Sequence, residues 1–365
     1  MVRVLHIGLS SEFGGIESFL LNVYKNIDKK KIQFDFIASA NNPDVINPFK
    51  KLGGTIHIVP FDIFYYSSLQ KIISENHYET VHIHKNSLAN PIPIFICKIL
   101  HVQNIILHSH STNIDKGRFF KFLHYINKQI FSRLCGVKLA CSSEAGCWMF
   151  PKGTKYKIIK NGIELERFTY NSEVRNDKRK EFSVSNADIL LGTVGRITFA
   201  KNQLFLLDVL KQVQVRFPSA KLLICGDGLL RKDLEQKILS SGLSGSVILT
   251  GARKDVHEIL NALDVFLLPS RYEGLGIVAI EAQANGLPCI VSNAVPDECN
   301  ISSSFIRIDN CDDVNSWSEN IKRYNIRNRD AYKQCTLSGY DICNTVNILK
   351  KIYMGIGEDC ENKNI

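Results

Sequence analysis

The sequence predicts two consecutive α/β domains, each built on an open parallel sheet, and three observations carry that prediction. Short apolar runs alternate with longer amphipathic patterns along the whole chain, as strand–helix–strand units require. At 365 residues the chain is too long for one ordinary domain, and it suits two of roughly 150–200 residues. Between residues 164 and 188 the pattern breaks into a charged stretch, including Asn171-Ser172-Glu173-Val174-Arg175-Asn176-Asp177-Lys178-Arg179-Lys180. No buried strand can sit there, so the segment reads as a domain junction.

In the first half, strands are expected at Val2–Gly8, Phe34–Ala38, Thr55–Val59, Thr80–His84, Ile105–His108 and Lys138–Cys141. A second series follows at Ile189–Val194, Lys221–Cys225, Val247–Leu249, Val265–Leu268, Cys289–Val291 and Phe305–Ile308. The domains are accordingly placed at 1–165 and 166–345, with 346–365 a C-terminal helix and tail for which packing back on the first domain is one arrangement. Open parallel sheets bind ligands beyond the carboxyl ends of their strands, so two such domains facing one another across a cleft would line it with strand-end loops.

Composition narrows the class. Hydrophobic residues at 45% and charged residues at 22% describe a folded protein with material for two cores. The net charge of +9 favours anionic partners such as nucleotide sugars or anionic lipid head groups. Nucleic acid is not expected, because the cations are scattered and no reader motif is present. The first residues, Met1-Val2-Arg3-Val4-Leu5-His6-Ile7-Gly8, read as a strand with no signal-peptide pattern, which leads to the expectation of a cytoplasmic protein. No apolar run reaches the roughly 18–20 residues of a membrane span, so membrane contact would be peripheral. The eleven cysteines are odd in number and form no Cys-x-x-Cys, so they read as reduced thiols.

Two segments carry candidate chemistry. After the strand Ile189–Val194 comes Gly195-Arg196-Ile197-Thr198-Phe199-Ala200-Lys201-Asn202. A glycine and two cations at a strand end suit a diphosphate, since arginine supplies a rigid fork of donors and lysine a compact charge. After Val265–Leu268 comes Pro269-Ser270-Arg271-Tyr272-Glu273-Gly274-Leu275-Gly276-Ile277-Val278-Ala279-Ile280-Glu281. Glu273 falls on the loop, Glu281 about two turns into the next helix, and the glycines leave backbone amides open at a helix N-terminus. Carboxylates accept hydrogen bonds from vicinal diols, which both a hexose and a ribose offer.

Gly195-Arg196 with Lys201, followed by Glu273 and Glu281 at Glu-x7-Glu spacing, resembles the group 1, or family 4, retaining glycosyltransferases of GT-B fold. Phe13-Gly14-Gly15-Ile16-Glu17 is similar to their glycine loop, and Leu107-His108-Ser109-His110-Ser111 to their histidine strand end. Asn161-Gly162-Ile163 and Phe168 extend the likeness over essentially the whole chain, with bacterial exopolysaccharide and capsular polysaccharide transferases the nearest group. The resemblance implies two Rossmann-like domains, the first for the acceptor and the second for the donor. It implies that Arg196 and Lys201 hold a donor diphosphate, Glu281 binds the ribose hydroxyls, and Glu273 touches the transferred sugar. Gly274, Leu275 and Gly276 would offer backbone amides, Gly14 and Gly15 would approach the diphosphate, and Arg253 would lie near the nucleotide base. The family histidine falls on His110 or on His108.

The implied reaction moves a hexose or N-acetylhexosamine from a nucleotide-diphosphate sugar, by family frequency a UDP-sugar, to a hydroxyl of a glycan or lipid-linked glycan, with retention. Catalysis would rest on His110, Glu273, Arg196 and Lys201. No cofactor or metal is expected: there is no Asp-x-Asp triplet and no closely spaced His/Cys ligand cluster. Closure about 164–188 would exclude water. The stretch Lys116–Arg133 mixes cations and aromatics at helical spacing, which suits either an anionic membrane surface or an ordinary helix with its Phe and Ile residues in the core. A nucleotide-sugar epimerase of the same fold, or a non-catalytic assembly scaffold, are the alternative functions.

Overall fold

The computed structural model describes residues 1–111, 117–323 and 326–356, the side chains of 322 and 323 excepted. The chain forms two compact units, one of Met1–Ile163 completed by the segment from Asp341, the other of Glu164–Tyr340. The first crossing lies two residues before the expected border and the second five residues before it. The charged stretch 164–188 belongs wholly to the second unit.

The first unit alternates β1 (Val2–Leu9), α1 (Gly15–Asn26), β2 (Ile32–Ala38), α2 (Pro43–Lys51), β3 (Thr55–Ile58), α3 (Tyr65–Glu75), β4 (Thr80–Lys85), α4 (Ile92–Ile99), β5 (Asn104–Ser109), α5 (Arg118–Phe131), β6 (Val137–Ala140), α6 (Ser143–Met149) and β7 (Lys157–Ile158). These strands form one parallel sheet in the order β3-β2-β1-β4-β5-β6-β7. Only the two-residue β7 was without a sequence signal. Both faces of the sheet are covered, which is why its strands read as near-continuous apolar runs. On one side Leu5, Ile7, Val81, Ile83 and Leu107 meet Leu69, Ile94 and Phe131. On the other, Val4, Phe34, Phe36 and Ile106 meet Phe19, Leu20 and Val23 of α1.

The second unit runs α7 (Ser172–Glu181), β8 (Leu190–Val194), α8 (Phe205–Gln214), β9 (Lys221–Cys225), α9 (Arg231–Ser240), β10 (Val247–Gly251), α10 (Val256–Ala262), β11 (Val265–Leu268), α11 (Ile277–Ala284), β12 (Cys289–Ser292), β13 (Phe305–Ile308), α12 (Val314–Arg323) and α13 (Ala331–Leu337). Its parallel sheet has the order β10-β9-β8-β11-β12-β13. The charged stretch folds because its cations find carbonyl and carboxylate partners. Arg175 pairs with Asp264 at 2.6 Å, and the buried Arg179 donates to the carbonyls of Ser185 and Asp188 at 2.5 Å each. The chain then returns to the first unit as α14 (Ile342–Tyr353), capped by Asp341 and seated on the α1 side with Ile342, Val346, Leu349 and Tyr353 in the core.

The helix α5 departs from ordinary core packing. His124 is its one buried residue, while Phe119, Phe122 and Ile130 are 66%, 59% and 54% exposed. The reading that placed its Phe and Ile residues in the core is overturned for these side chains; Lys116 lies outside the described residues, as does the tail from 357. No disulfide forms among the described cysteines, and no helix among the described residues is long and apolar enough to cross a membrane.

Candidate active site

In each unit the strand order reverses once, and the crevice outside the carboxyl ends of the strands at such a reversal is where open α/β sheets take ligands. In the second unit the reversal separates β8 from β11, which pair in register at Val265–Leu191 and Phe266–Gly192. The loops leaving these two strands are Gly195–Asn202 and Pro269–Gly276, the two segments singled out by sequence.

The structure joins these loops directly. Lys201 Nζ lies 2.5 Å from Glu273 Oε2, and Ser270 Oγ donates to the same oxygen at 3.1 Å. The backbone amide of Arg271 donates to the Ala200 carbonyl at 2.7 Å, and its guanidinium pairs with Asp312 at 2.7 Å, tying both loops to the turn after β13. The stem of Lys201 runs over Gly195, whose added Cβ would meet Lys201 Cε at 3.6 Å. Gly276, at φ +76°, occupies the left-handed region and opens α11, a conformation that glycine adopts without strain. Leu275 is buried, Gly274 half-buried, and Arg196 exposed on its loop.

Two further glycines, Gly226 and Gly228, were missed by sequence. A Cβ on Gly226 would sit 2.0 Å from the Gly195 carbonyl, and one on Gly228 would sit 2.4 Å from that of Ile197. Bonds from Gly195 N to Cys225 O and from Ile197 N to Asp227 O, both 2.9 Å, hold the segments together. Only bare backbone fits so close an approach; the signal available was Gly226-Asp227-Gly228 immediately after a strand.

Glu281 sits in the apolar helix α11 and takes no side-chain hydrogen bond from the described residues. Burial pushes its carboxyl up to about 7, with Arg167 pulling weakly the other way. The side chain is half-buried, and its carboxylate meets no donor among the described residues. Arg253 is differently placed: its guanidinium is held by Asp255 at 2.7 and 2.8 Å and by Glu181 at 2.8 Å. That network includes Lys178, 2.5 Å from Asp255, and the structure does not bring Arg253 together with Lys201 and Glu273.

In the first unit the reversal lies between β1 and β4. Glu17, buried in the first turn of α1, accepts from the amides of Ser10 at 2.7 Å and Gly14 at 2.9 Å, and so closes the glycine loop after β1. A Cβ on Gly15 would meet none of the described residues within 4 Å, so none of them requires a glycine there.

Beside this loop five histidines share one sheet face. His6 pairs in register with His82, and His84 with His108, while the His82/His84 and His108/His110 spacings return to the same face because strand side chains alternate. His6 Nδ1 lies 3.0 Å from His84 Nε2, and His84 Nδ1 lies 2.9 Å from His110 Nε2. His82 Nδ1 meets the Tyr353 hydroxyl at 2.7 Å. Of the two candidates at the end of β5, His108 is fully buried with both ring nitrogens unpartnered, and His110 is half-buried. Burial drives all five below the ordinary imidazole range, His6 and His110 to about 3, so the rings are neutral at pH 7.

The expectation of no close histidine cluster is therefore wrong. It searched for local spacing, whereas His-x-His on two adjacent strands assembles the group through register. His6, His82 and His84, and again His84, His108 and His110, each gather three ring nitrogens within 4.8 Å, a spacing that reaches a metal ion. Both triplets depend on His84, whose two nitrogens already bond to His6 and His110.

Residues 174–329 match the family model described as group 1 glycosyl transferases. The chain is 29% identical to the putative glycosyltransferase EpsF of Bacillus subtilis (strain 168), over 96% of both chains. It is 25% identical to the UDP-Gal:alpha-D-GlcNAc-diphosphoundecaprenol alpha-1,3-galactosyltransferase of Escherichia coli, over 97% of both. Among solved structures, Anabaena Alr3699/HepE in complex with UDP and glucose superposes with a TM-score of 0.79 at 17% identity, covering 97% of this chain and all (100%) of that one.

Proposed function

We propose that this chain, which belongs to the group 1 glycosyltransferases and has their GT-B fold, moves a hexose or N-acetylhexosamine from a UDP-sugar to a hydroxyl of a glycan or lipid-linked glycan in bacterial polysaccharide synthesis. The observation that carries the donor reading is the convergence of Lys201, Glu273 and the N-terminus of α11 at the β8/β11 reversal, with Glu281 one turn along the same helix. The names of full-length relatives, a diphosphoundecaprenol galactosyltransferase and a capsular polysaccharide transferase of Staphylococcus aureus, support the acceptor class.

In this reading Lys201 and Arg196 neutralise the diphosphate as negative charge grows on it, with backbone amides at Gly274–Gly276 adding donors. The Lys201–Glu273 pair holds the ammonium in place before donor arrives, and a phosphate joining it leaves Glu273 for a sugar hydroxyl. The ionised Glu281 accepts from the ribose diol. The acceptor proton passes to the departing phosphate oxygen on the same face, which gives retention without a protein nucleophile and without a divalent ion.

The site test is a thermal-shift titration with UDP-sugars in the presence and absence of EDTA, repeated with Arg196→Ala and Glu281→Ala. UDP stabilises the parent protein with EDTA present and neither variant; strict dependence on a divalent ion, or unchanged stabilisation in both variants, refutes the assignment.

A cytoplasmic location peripheral to the membrane belongs to the same reading, and the exposed face of α5 supports its membrane part. Its exposed Phe119, Phe120, Phe122, Ile126 and Ile130 lie among Arg118, Lys121 and Lys128, and Phe131 packs on the core shared with α3 and α4. Apolar side chains among cations suit an anionic bilayer surface. Co-sedimentation with vesicles containing phosphatidylglycerol, and its loss in Phe119→Ser/Phe122→Ser, checks this; equal binding by parent and variant counts against it.

A further inference from the structure

We propose that His6, His84 and His110 form a one-directional chain of imidazole hydrogen bonds that fixes His110 as the Nδ1–H tautomer, so that it presents a donor to an oxygen of a bound substrate. The inference about the ring needs only the sheet face; its use on a substrate rests on the transferase reading above.

A neutral imidazole has one N–H and one lone pair. With His84 bonded to His6 through Nε2 and to His110 through Nδ1, fixing the proton of any one ring fixes all three. In one state His6 Nδ1 donates to His84 Nε2, His84 Nδ1 donates to His110 Nε2, and His110 carries its proton on Nδ1. In the other, every bond reverses. His6 then bears Nε2–H, and His110 offers a bare Nδ1.

The inner end decides between them. His6 Nε2 is buried with no hydrogen-bond partner, and the ring lies 4.1 Å from Phe34 and 5.5 Å from Phe36, centroid to centroid. Among backbone groups, orphaned buried N–H are rarer than under-satisfied carbonyls, and a buried ring N–H without an acceptor carries the same kind of desolvation cost. The first state leaves only a lone pair in the aromatic box, while the second strands an N–H there. At the outer end, His110 is less enclosed than His6, His82 and His108, which are fully buried. Its ring is half-buried at the end of β5, beside the reversal. His6 and His84 are thus positioning residues, and the ligand atom served is an oxygen acceptor, a sugar hydroxyl or a phosphate oxygen.

The test is long-range ¹H–¹⁵N imidazole spectroscopy on the uniformly ¹⁵N-labelled full chain without ligand, with His110 assigned by the signals lost in His110→Asn. The parent protein shows His110 protonated at Nδ1 and bare at Nε2. His6→Phe removes the bias and populates the other tautomer, whereas His6→Asn, whose amide replaces the Nδ1 donor, keeps it. A parent His110 protonated at Nε2 or at both nitrogens overturns the proposal, and so does an unaltered His110 tautomer in a folded His6→Phe protein. If that variant does not fold, the parent spectrum alone decides. In a transfer assay, His110→Asn keeps the donor near Nδ1 and retains about tenfold more turnover than His110→Gln. Equal turnover refutes the donor role, while absence of transfer in the parent refutes the transferase reading and leaves the spectrum standing.

Discussion

Replacing Glu281 by Gln separates a functional carboxylate from a structural one. The folded protein raises this carboxyl from 4.5 to about 7 through desolvation, so it binds its proton more tightly than the unfolded chain does. Below the unfolded value both states are protonated and the full stability is present. As pH rises from 4.5 through 7 the folded state must ionise a half-buried, desolvated group, and stability falls. At about 1.4 kcal/mol per pH unit the loss reaches an upper bound of about 3 kcal/mol above pH 8. Glu281→Gln does not ionise and escapes that loss. Its melting temperature therefore matches the parent near pH 4.5 and exceeds it by up to about 8 °C at pH 8, since each kcal/mol moves a domain of this size by a few degrees. Thermal unfolding across this range without ligand reads the difference. A pH-independent difference, or a variant less stable than the parent at pH 8, would refute the claim that Glu281 is a half-buried, desolvated acceptor with no donor among the described residues. In the same variant UDP stabilises less at pH 8, because the charged acceptor for the ribose is gone.

Three further perturbations bear on the site. Lys201→Met removes the cation and leaves Glu273 with Ser270 alone, so UDP affinity by calorimetry falls about 10- to 100-fold, in line with a lost charge-assisted bond; unchanged affinity excludes Lys201 from the diphosphate. Gly226→Ala forces a methyl to within 2.0 Å of the Gly195 carbonyl and costs about 2–4 kcal/mol in denaturant unfolding, and a neutral outcome would mean that the two loops part readily. Gly15→Ala meets none of the described residues within 4 Å, so it melts with the parent, and a fall in transfer then reports a crowded substrate; a lowered melting temperature would show that the glycine serves the fold.

Much of this arrangement was legible in the sequence because apolar strands and the residues ending them are contiguous. Gly195 with Arg196 and Lys201, and Glu273 with Glu281, could be placed on strand-end loops and a helix before any coordinate was known. The Lys201–Glu273 contact could not, since it joins residues 72 apart and depends on β8 lying beside β11. The histidine face was hidden for the same reason: His6, His82, His84, His108 and His110 come from three strands, and only register makes them neighbours. Helix α5 was ambiguous because Phe and Ile at helical spacing read alike whether they face a core or remain exposed. Arg253 shows the converse limit, where a position carried over from a family gave no hint of the carboxylates that hold it.

The return of the chain through α14 has a consequence for synthesis. The first unit is interrupted by the whole of the second, and Ile342, Val346, Leu349 and Tyr353 supply core that residues 1–163 lack. On the ribosome, residues 164–340 emerge and can complete their own sheet while the earlier-made unit still waits for its last helix, whose Tyr353 hydroxyl meets His82. A chain stopped after Tyr340 would thus carry a finished second unit and an uncovered first one. If the second unit holds the donor as proposed, binding of UDP would survive that truncation, whereas transfer would not.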